Sequence, residues 1–452
     1  MADEQNATPE ILSLLRGGSA EAVRLYCDEY HPAAIGEQLS EADPEDIRDV
    51  LAALGDESGA AVFSHLPESV QVDVLRLLGR DECAALFSEL PPDDRAHLYR
   101  HLPDELQERV MPALARAERE DIRRLASYPE GTAGSIMTSD YATLSPDITA
   151  GEAVERLRQA APDKETIYYA YVVNRARRLI GFVSLSDLIV ARRDTPIRDI
   201  LHSDPVSVRA DEDREEAARK ISKFDLIALP VVNRDGSIVG IITHDDVIDV
   251  ISEEHTEDIE KLSAIAGSSD GDAYLETSSW RHYCRRVGWV VVLGILGIGA
   301  GAIVQHFTPL LTKHGALAAY MTMLAAAGGN TGNQSAAMVV CGLATHEITP
   351  RDFPRILRKE FLVSLLLGGA LALVVGLFSW LFRGEQAVAT VVACAVAAQV
   401  VTAVLVGVVL PMGAVRLKLD PAVVASPALA TVVDLTGLLI YFSIATAILS
   451  HV

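Results

Sequence analysis

Asp434 is the only charged residue, His451 aside, of the last apolar stretch of the chain, residues 421–452. An ionised carboxylate at that depth in a bilayer is costly, so such a residue usually faces a water-filled path or a bound ion. The residues that share its predicted helical face are spaced by three or four positions: Ser426, Ala430, Gly437 and Tyr441. Most of them are small and leave room beside the carboxylate, which favours a cation path.

A polar run, Gly328–Ser335, interrupts a second apolar stretch with the sequence GGNTGNQS. Irregular backbone at membrane depth is tolerated only where it is buried or lines a cavity. We therefore expect a helix broken at the glycines, with carbonyl oxygens and the amides of Asn330 and Asn333 offered to an ion. The alternative is a kink that serves helix packing only.

The residue types also restrict the ion. The apolar part of the chain has no Cys/His cluster, which argues against zinc or copper, and the five cysteines are too scattered for a disulfide framework. One carboxylate among many neutral oxygens suits a hydrated divalent cation, because Mg²⁺ is bound by few carboxylates and keeps much of its water. These residues do not separate Mg²⁺ from Mn²⁺, Co²⁺ or Ca²⁺.

Five segments approach or exceed the length of about 20 residues that a bilayer core requires: about 286–305, 315–345, 361–382, 387–412 and 422–449. Nine Lys and Arg residues fall on one side of these spans and only Lys313 and Arg383 on the other. Positive charge concentrates on the cytoplasmic side. We therefore expect residues 281–452 to form a five-helix transmembrane domain with the preceding residues inside and the C-terminus outside.

The charge of the chain is unevenly divided. Of its 62 acidic and 39 basic residues, only 6 and 8 follow Arg286, so residues 1–286 carry a net charge of about −25. Nucleic acid is excluded as a partner, because phosphate binding needs a basic footprint; cations suit this surface, although acidity can also serve solubility alone. The first ten residues lack the features of a signal peptide.

Three further regions precede the membrane part. Residues 1–129 read as an all-α helical repeat, with Leu-Pro pairs at 66, 90 and 102 followed by acids and an apolar stripe. Residues 130–252 contain a β-β-α unit twice, about 59 residues apart from Gly181 to Gly240. Residues 253–280 contain an amphipathic connecting helix with a carboxylate-dense face.

The duplicated unit resembles tandem CBS domains, which usually sense a ligand and control a neighbouring domain. The whole order, with GGNTGNQS, Asp420-Pro421-Ala422 and Asp434-Leu435-Thr436-Gly437, resembles the MgtE family of magnesium transporters. The resemblance implies a homodimeric Mg²⁺-selective channel of the plasma (inner) membrane, with Asp434 in a pore at the dimer axis. Some members carry Asn at the position of Ser426, so a looser discrimination between divalent ions is expected here.

The same resemblance implies that intracellular Mg²⁺ closes the channel by binding regulatory acids. These acids are Asp93 and Asp94 in the helical domain, Glu215, Glu216, Asp225, Asp245, Asp246 and Asp249 in the second CBS copy, Glu254, Glu257 and Asp258 in the connecting helix, and Asp420 at the membrane edge. Several members also bind ATP between the CBS copies, where Tyr169 and Asp187 would contact base and ribose.

Two other classes of function remain to be weighed. In an ion-coupled carrier of divalent cations, Asp434 would be the coupling residue and transport would depend strictly on pH. An enzyme with a membrane anchor would need a nucleophile–base arrangement, a phosphate loop or an HExxH motif, and the sequence has none. We therefore expect a transport protein and not an enzyme.

Overall fold

The computed structural model describes residues 10–17, 19–161, 164–263, 265, 277–345, 347–383, 385–421 and 427–449. The chain divides into two compact units, Met1–Glu254 and His255–Val452.

The first unit begins with a helical region, as the repeat of Leu-Pro pairs predicts. Its helices are α1 Glu10–Arg16, α2 Ala20–Glu29, α3 Pro32–Leu39, α4 Pro44–Leu54, α5 Asp56–Phe63, α6 Glu68–Leu77, α7 Arg80–Glu89, α8 Pro92–His101, α9 Asp104–Val110 and α10 Arg116–Leu125. Each Leu-Pro pair directly precedes or overlaps a helix start, because proline at or next to the first turn loses no helical hydrogen bond. The three leucines of these pairs are buried in one apolar core.

An α/β region with two small sheets follows. Its elements are β1 Thr143–Leu144, α11 Ala150–Ala160, β2 Tyr169–Val173, β3 Leu179–Ser184, α12 Leu185–Val190, β4 His202–Ser203, β5 Val208–Arg209, α13 Arg214–Phe224, β6 Ala228–Val232, β7 Ile238–Thr243 and α14 His244–Leu262. The sheet orders are β1-β2-β3-β4 and β5-β6-β7. In both sheets a short strand runs parallel to the first strand of an antiparallel hairpin.

The predicted duplication is visible in the strand register. Gly181 pairs with Val172 in the first sheet, and Gly240 pairs with Val231 at the same place in the second. A side chain at Gly240 would place its Cβ 2.8 Å from the carbonyl oxygen of Thr138, so this position tolerates only glycine without a shift. The duplicated glycines therefore mark equivalent points of close backbone approach.

The acidic connecting segment is not a separate helix. Helix α14 starts at His244, directly after β7, and runs to Leu262 without interruption. Its first turn is capped by Asp246, whose Oδ2 accepts a hydrogen bond from Thr243 Oγ1 at 2.6 Å. The end of the CBS region and the start of the connecting region thus form one element, and most of the remaining segment, 264 and 266–276, lies outside the described residues.

The second unit contains long apolar helices: α15 Ser279–His306, the short α16 Thr308–Lys313, α17 Ala318–Ala344, α18 Phe353–Arg383, α19 Gln386–Arg416 and α20 Pro427–Leu449. Four stretches among the described residues are long and apolar enough to span a membrane, Ser279–His306, Pro350–Leu381, Gln386–Arg416 and Ala428–Leu449. The predicted span at 315–345 corresponds to α17, whose 27 residues are sufficient for a bilayer. It differs from the four apolar stretches in containing the polar run Gly328–Ser335. Residues 422–426 of the last predicted span lie outside the described residues.

Helix α19 is the centre of this unit. More than half of its most apolar window is buried, 56%, whereas none of the corresponding window of α15 is. The core around α19 includes Tyr441, whose hydroxyl donates to the carbonyl oxygen of Leu317 at 2.8 Å, and Tyr320, whose hydroxyl donates to Ser379 at 2.9 Å. These bonds fix α17, α18 and α20 against one another.

Candidate ion path and acidic cation sites

The polar run lies within an unbroken helix. The prediction of a break at the glycines is wrong, because α17 is helical from Ala318 to Ala344. Gly328 and Gly332 instead face the packed side: Gly328 lies against Gln399 and Val433, and a Cβ at Gly332 would lie 3.2 Å from the carbonyl oxygen of Ala403. The glycines thus allow α17 to pack closely against α19 and α20. The alternative given in the sequence analysis, that these glycines serve helix packing only, explains them better.

The amide side chains of the run point the other way. Asn330 and Asn333 are exposed on α17, while Gly328 and Gly332 are buried. On α20, Asp434 is likewise exposed, and the described residues supply no ion-pair or hydrogen-bond partner for it. The candidate ligands therefore lie on surfaces that a single chain leaves open.

The residues predicted to share a face of α20 with Asp434 differ from it in exposure. Ala430 is half-buried, but Gly437 and Tyr441 are buried in the helix bundle. The sequence spacing groups them with Asp434, yet neighbouring helices cover the flank on which they lie. Ser426 lies outside the described residues.

Sequence reasoning missed Gln399, which is 1% exposed at the centre of the bundle. Its Nε2 donates to the carbonyl oxygen of Val433 at 2.9 Å, next to Asp434, and its side chain fills the space left by Gly328 and Gly437. Buried amides contribute when their hydrogen bonds are made; the Nε2 bond is made here, whereas Oε1 is buried without a partner among the described residues. Gln399 thus sets the positions of α17 and α20 relative to α19. No motif marks it, because its partners are 34 or more residues away in the sequence.

A second missed contact joins the polar run to α18. The hydroxyl of Ser335, 3% exposed, donates to Glu360 Oε2 at 2.9 Å. Glu360 is half-buried on α18. The run is therefore anchored to a carboxylate on its packed side, while Asn330 and Asn333 are exposed on the other.

A cluster of six carboxylates forms where α8, the start of α14 and the segment before β2 meet; we call it the α8–α14 cluster. Its members are Asp93, Asp94, Glu165, Asp245, Asp246 and Asp249. Among the described residues, none of the six forms an ion pair with Lys or Arg; Asp245 lies 3.7 Å from His244 Nδ1. The Oδ1 atom of Asp93 is inaccessible to solvent and has no hydrogen-bond partner in the described part of the chain.

This arrangement disfavours the ionised carboxylates. Burial, and then the nearby Asp246, raise the pKa of Asp93 well above its usual range. Burial raises the pKa of Asp246 to about 6, even though hydrogen bonds from Thr243 act in the opposite direction. Burial and Asp246 also raise the pKa of Glu165 to about 7. Crowded carboxylates with hindered ionisation form a site that a divalent cation would stabilise.

A second acidic group, the Lys261 cluster, consists of Glu257, Asp258, Lys261 and Asp420. Lys261 Nζ lies 2.9 Å from Glu257 and 2.8 Å from Asp420. Burial, and then the nearby Asp420, raise the pKa of Asp258. Three of the predicted regulatory acids thus come together around a cation that the chain itself provides.

The other predicted regulatory acids lie in neither cluster. Glu254 accepts a hydrogen bond at 2.8 Å from Arg214, which also pairs with Glu253 at 2.7 Å. Glu215 and Glu216 are in the first turn of α13, where Glu216 pairs with Arg219. Asp225 ends the same helix in a left-handed conformation with φ of 51°.

The predicted nucleotide contacts lie on β2 and on α12, the helix that follows β3. The rings of Tyr169 and Phe182 meet edge-on with centroids 5.3 Å apart, and Phe182 stacks on His202 at 5.1 Å. His202 Nε2 lies 3.0 Å from Asp187 Oδ2. Burial acts to raise the pKa of Asp187, but hydrogen bonds from Ser184 and His202 outweigh it and hold that pKa below its usual value. Tyr169 and Asp187 thus lie on one aromatic and acidic surface.

Comparisons with known proteins agree with this architecture. Residues 321–444 match the MgtE family model, described as a divalent cation transporter, residues 30–131 match the MgtE intracellular N domain, and residues 133–194 and 197–253 match CBS domains. The chain is 41% identical to the magnesium transporter MgtE of Thermus thermophilus over 99% of its own length and 100% of that protein. It is 33% identical to the magnesium transporter MgtE of Bacillus subtilis over 78% of each chain.

Two solved structures are similar to about half of the chain. One is the cytosolic domain of the Mg²⁺ channel MgtE in complex with ATP, 36% identical, with a TM-score of 0.51 over 54% of this chain and 100% of that one. The other is the soluble part of a magnesium transporter, 31% identical, with a TM-score of 0.51 over 54% of this chain and 96% of that one.

These features define a multidomain membrane transport protein with a helical domain, a CBS pair and an apolar helical domain. The chain belongs to the MgtE family. Membership of a transporter family separates it from membrane-anchored enzymes.

Proposed function

We propose that this chain forms a Mg²⁺-selective channel that mediates Mg²⁺ uptake. The observation that carries the proposal is Asp434, a carboxylate within an apolar helix that is exposed and has no counter-ion among the described residues. Such a residue is costly in a membrane unless an ion or water reaches it. The magnesium transporters to which the chain is similar support Mg²⁺ as the ion.

The pore would lie between two copies of the chain. Asn330, Asn333 and Asp434 are exposed in a single chain, and a lipid environment would not tolerate them there. A homodimer that pairs these surfaces would enclose a polar path at its axis, with Asp434 binding the hydrated ion, and Ala430 and Ser426 leaving room for its water. Binding through retained water suits Mg²⁺, which gives up its hydration shell reluctantly.

Intracellular Mg²⁺ would close this channel by binding the regulatory acids. The raised pKa values of the α8–α14 cluster support it as a cation site, and the Lys261 cluster supplies a second group of carboxylates. An ion that binds one conformation better than the other shifts the equilibrium between them. Glu215, Glu216, Asp225 and Glu254 remain proposed contributors outside the two clusters.

ATP would bind at the CBS pair, with Tyr169 and Asp187 as contacts. The surface formed by Tyr169, Phe182, His202 and Asp187 supports this, as does the similar cytosolic domain in complex with ATP. An aromatic ring can stack on the base, and a carboxylate can accept hydrogen bonds from ribose hydroxyls.

The proposed organisation is a helical domain at 1–129, a CBS pair at 130–252, a connecting segment at 253–280 and a transmembrane domain of five helices at 281–452. The cluster of Arg and Lys on one side of the apolar helices supports a plasma (inner) membrane protein with its N-terminal domains in the cytoplasm and its C-terminus outside.

The test is Mg²⁺ flux through purified protein in liposomes, with single-channel recording. Asp434→Ala and Asp434→Asn should both abolish Mg²⁺ flux, because charge and not volume is required, while Glu385→Gln, which removes an exposed carboxylate before α19, should not. Near-normal flux in Asp434→Asn would overturn the pore assignment. Small unitary currents with strict pH coupling would instead identify the ion-coupled carrier.

A further inference from the structure

Two histidines and a glutamate that belong to neither acidic cluster come together in the helical domain, with His97 near Asp94 of the α8–α14 cluster. Glu68 is the first residue of α6, and His97 and His101 are one turn apart on α8. Glu68 Oε1 lies 3.1 Å from His97 Nε2 and 3.0 Å from His101 Nδ1. The ligand atoms of the three side chains all lie within 4.8 Å of one another.

These separations are close to those of a bound metal. Ligands at 2.0–2.1 Å from a tetrahedral ion are separated by roughly 3.3 Å. Helical spacing of i and i+4 presents both imidazoles on one side of α8, and α6 supplies the carboxylate from the other side. Glu130 Oε1 lies 3.6 Å from Nε2, the other ring nitrogen of His101, so it would orient the ring and water would be the fourth ligand.

The partial burial of the three side chains would let a metal ion enter the site and would also help to hold it there. The side chains of His101 and Glu68 are 27% and 31% exposed, so they are partly shielded, whereas His97 is 57% exposed and leaves an entry route. The Oε1 atom of Glu68 is inaccessible to solvent and has no hydrogen-bond partner among the described residues, so a bound cation would stabilise it. His101 Nδ1 lies 3.0 Å from the carbonyl oxygen of His97, a contact that the ring would give up to bind a metal.

We propose that Glu68, His97 and His101 form a binding site for a divalent transition metal of the Zn²⁺ or Co²⁺ type. Two imidazole nitrogens with one carboxylate are a donor set that such ions prefer, whereas Mg²⁺ prefers oxygen ligands alone. The site thus differs in selectivity from the oxygen-only α8–α14 cluster, and it is independent of the ion that passes through the membrane domain.

The test uses tag-free full-length protein, purified in detergent, stripped of metal and kept in excess Mg²⁺ so that the oxygen-only sites are occupied. Co²⁺ is titrated while its visible absorption bands are recorded. We expect the intense bands of a four-coordinate nitrogen–oxygen site, saturation at one Co²⁺ per chain, and loss of the bands on addition of Zn²⁺. A chromophoric chelator in competition gives the Zn²⁺ affinity.

Three variants decide the assignment: His97→Gln, His101→Gln and Glu68→Gln should each weaken Zn²⁺ binding at least about tenfold. His65→Gln, which removes an exposed histidine of the same domain from outside the group, should leave the affinity unchanged. His97 is the most exposed of the three ligands, so its substitution is expected to spare the fold, which circular dichroism checks. Absence of the Co²⁺ bands, or equal Zn²⁺ affinity in wild type and His97→Gln, would overturn the proposal.

Discussion

The two acidic clusters differ in how the repulsion between their carboxylates is balanced. In the Lys261 cluster, the ammonium group lies within 2.9 Å of Glu257 and Asp420, so the chain provides its own counter-ion. In the α8–α14 cluster, six carboxylates meet without a Lys or Arg ion pair among the described residues, and Asp93 Oδ1 is buried and unpaired. Repulsion in the second case is relieved by protons or by an added cation.

If Mg²⁺ closes the channel as proposed, this difference predicts which cluster responds more strongly to it. Two unit charges at ~4 Å repel by roughly 1 kcal/mol in water and by about 4 kcal/mol near a protein surface. A site whose ligands already repel one another gains most from a divalent ion, whereas a site with a tethered ammonium gains less because Mg²⁺ must compete with it. The α8–α14 cluster should therefore be the main sensor and the Lys261 cluster a weaker one.

The largest expected effect follows from removing charge at the α8–α14 cluster, the proposed sensor. In Asp93→Asn/Asp246→Asn, two ligands are lost, so the Mg²⁺ concentration that half-inhibits the channel should rise at least about tenfold, equivalent to about 1.4 kcal/mol. The measurement is channel current in excised patches at graded internal Mg²⁺.

A matched control separates ligand loss from a general change of charge. Glu105→Gln/Glu108→Gln removes two exposed carboxylates from α9 of the same domain, and its half-inhibitory concentration should stay near that of wild type. An equal shift in both double variants would mean that net charge, and not the α8–α14 cluster, sets the response.

The sequence predicted the helices and strands more reliably than the contacts between distant residues. The Leu-Pro pairs and the duplicated strands predicted helices and sheets, because these depend on local periodicity and turn chemistry. Predictions from local sequence failed where contacts between residues far apart in the chain determine the structure. The glycines of α17 pack against α19 instead of breaking the helix, Glu254 pairs with Arg214, and Glu165 joins the α8–α14 cluster from a loop without a motif.

A smaller effect is expected from pH. The pKa values of about 6 for Asp246 and about 7 for Glu165 lie above the ordinary values of 3.8 and 4.5. The folded state therefore binds more protons than the unfolded state across this range, so Mg²⁺-free stability should rise as pH falls from about 8 to 6.

The measurement is thermal unfolding of Mg²⁺-free full-length protein by circular dichroism. A gain of about 1 kcal/mol corresponds to roughly 2–4 °C for a unit of this size. Glu165→Gln/Asp246→Asn should lose most of this dependence, and saturating Mg²⁺ should reduce it in wild type because bound Mg²⁺ requires deprotonated ligands. A midpoint that falls from pH 8 to 6 without Mg²⁺ would contradict the assigned pKa directions.

The smallest expected effect is that of a substitution at Lys261. It tests the comparison by removing the counter-ion from the Lys261 cluster, where the first prediction removed carboxylates from the α8–α14 cluster. Lys261→Gln removes the tethered cation and leaves Glu257, Asp258 and Asp420 in the state of the α8–α14 cluster, so Mg²⁺ no longer competes with an ammonium group. The half-inhibitory Mg²⁺ concentration should fall about twofold to fivefold, because partly exposed ion pairs contribute up to about 1 kcal/mol. Lys418→Gln, the same charge change at an exposed residue two positions from Asp420, is the control and should leave the concentration unchanged. A rise in the Lys261→Gln variant would show that the ammonium group itself holds the closed state, and the contrast between the two clusters would then be one of mechanism and not of Mg²⁺ sensitivity.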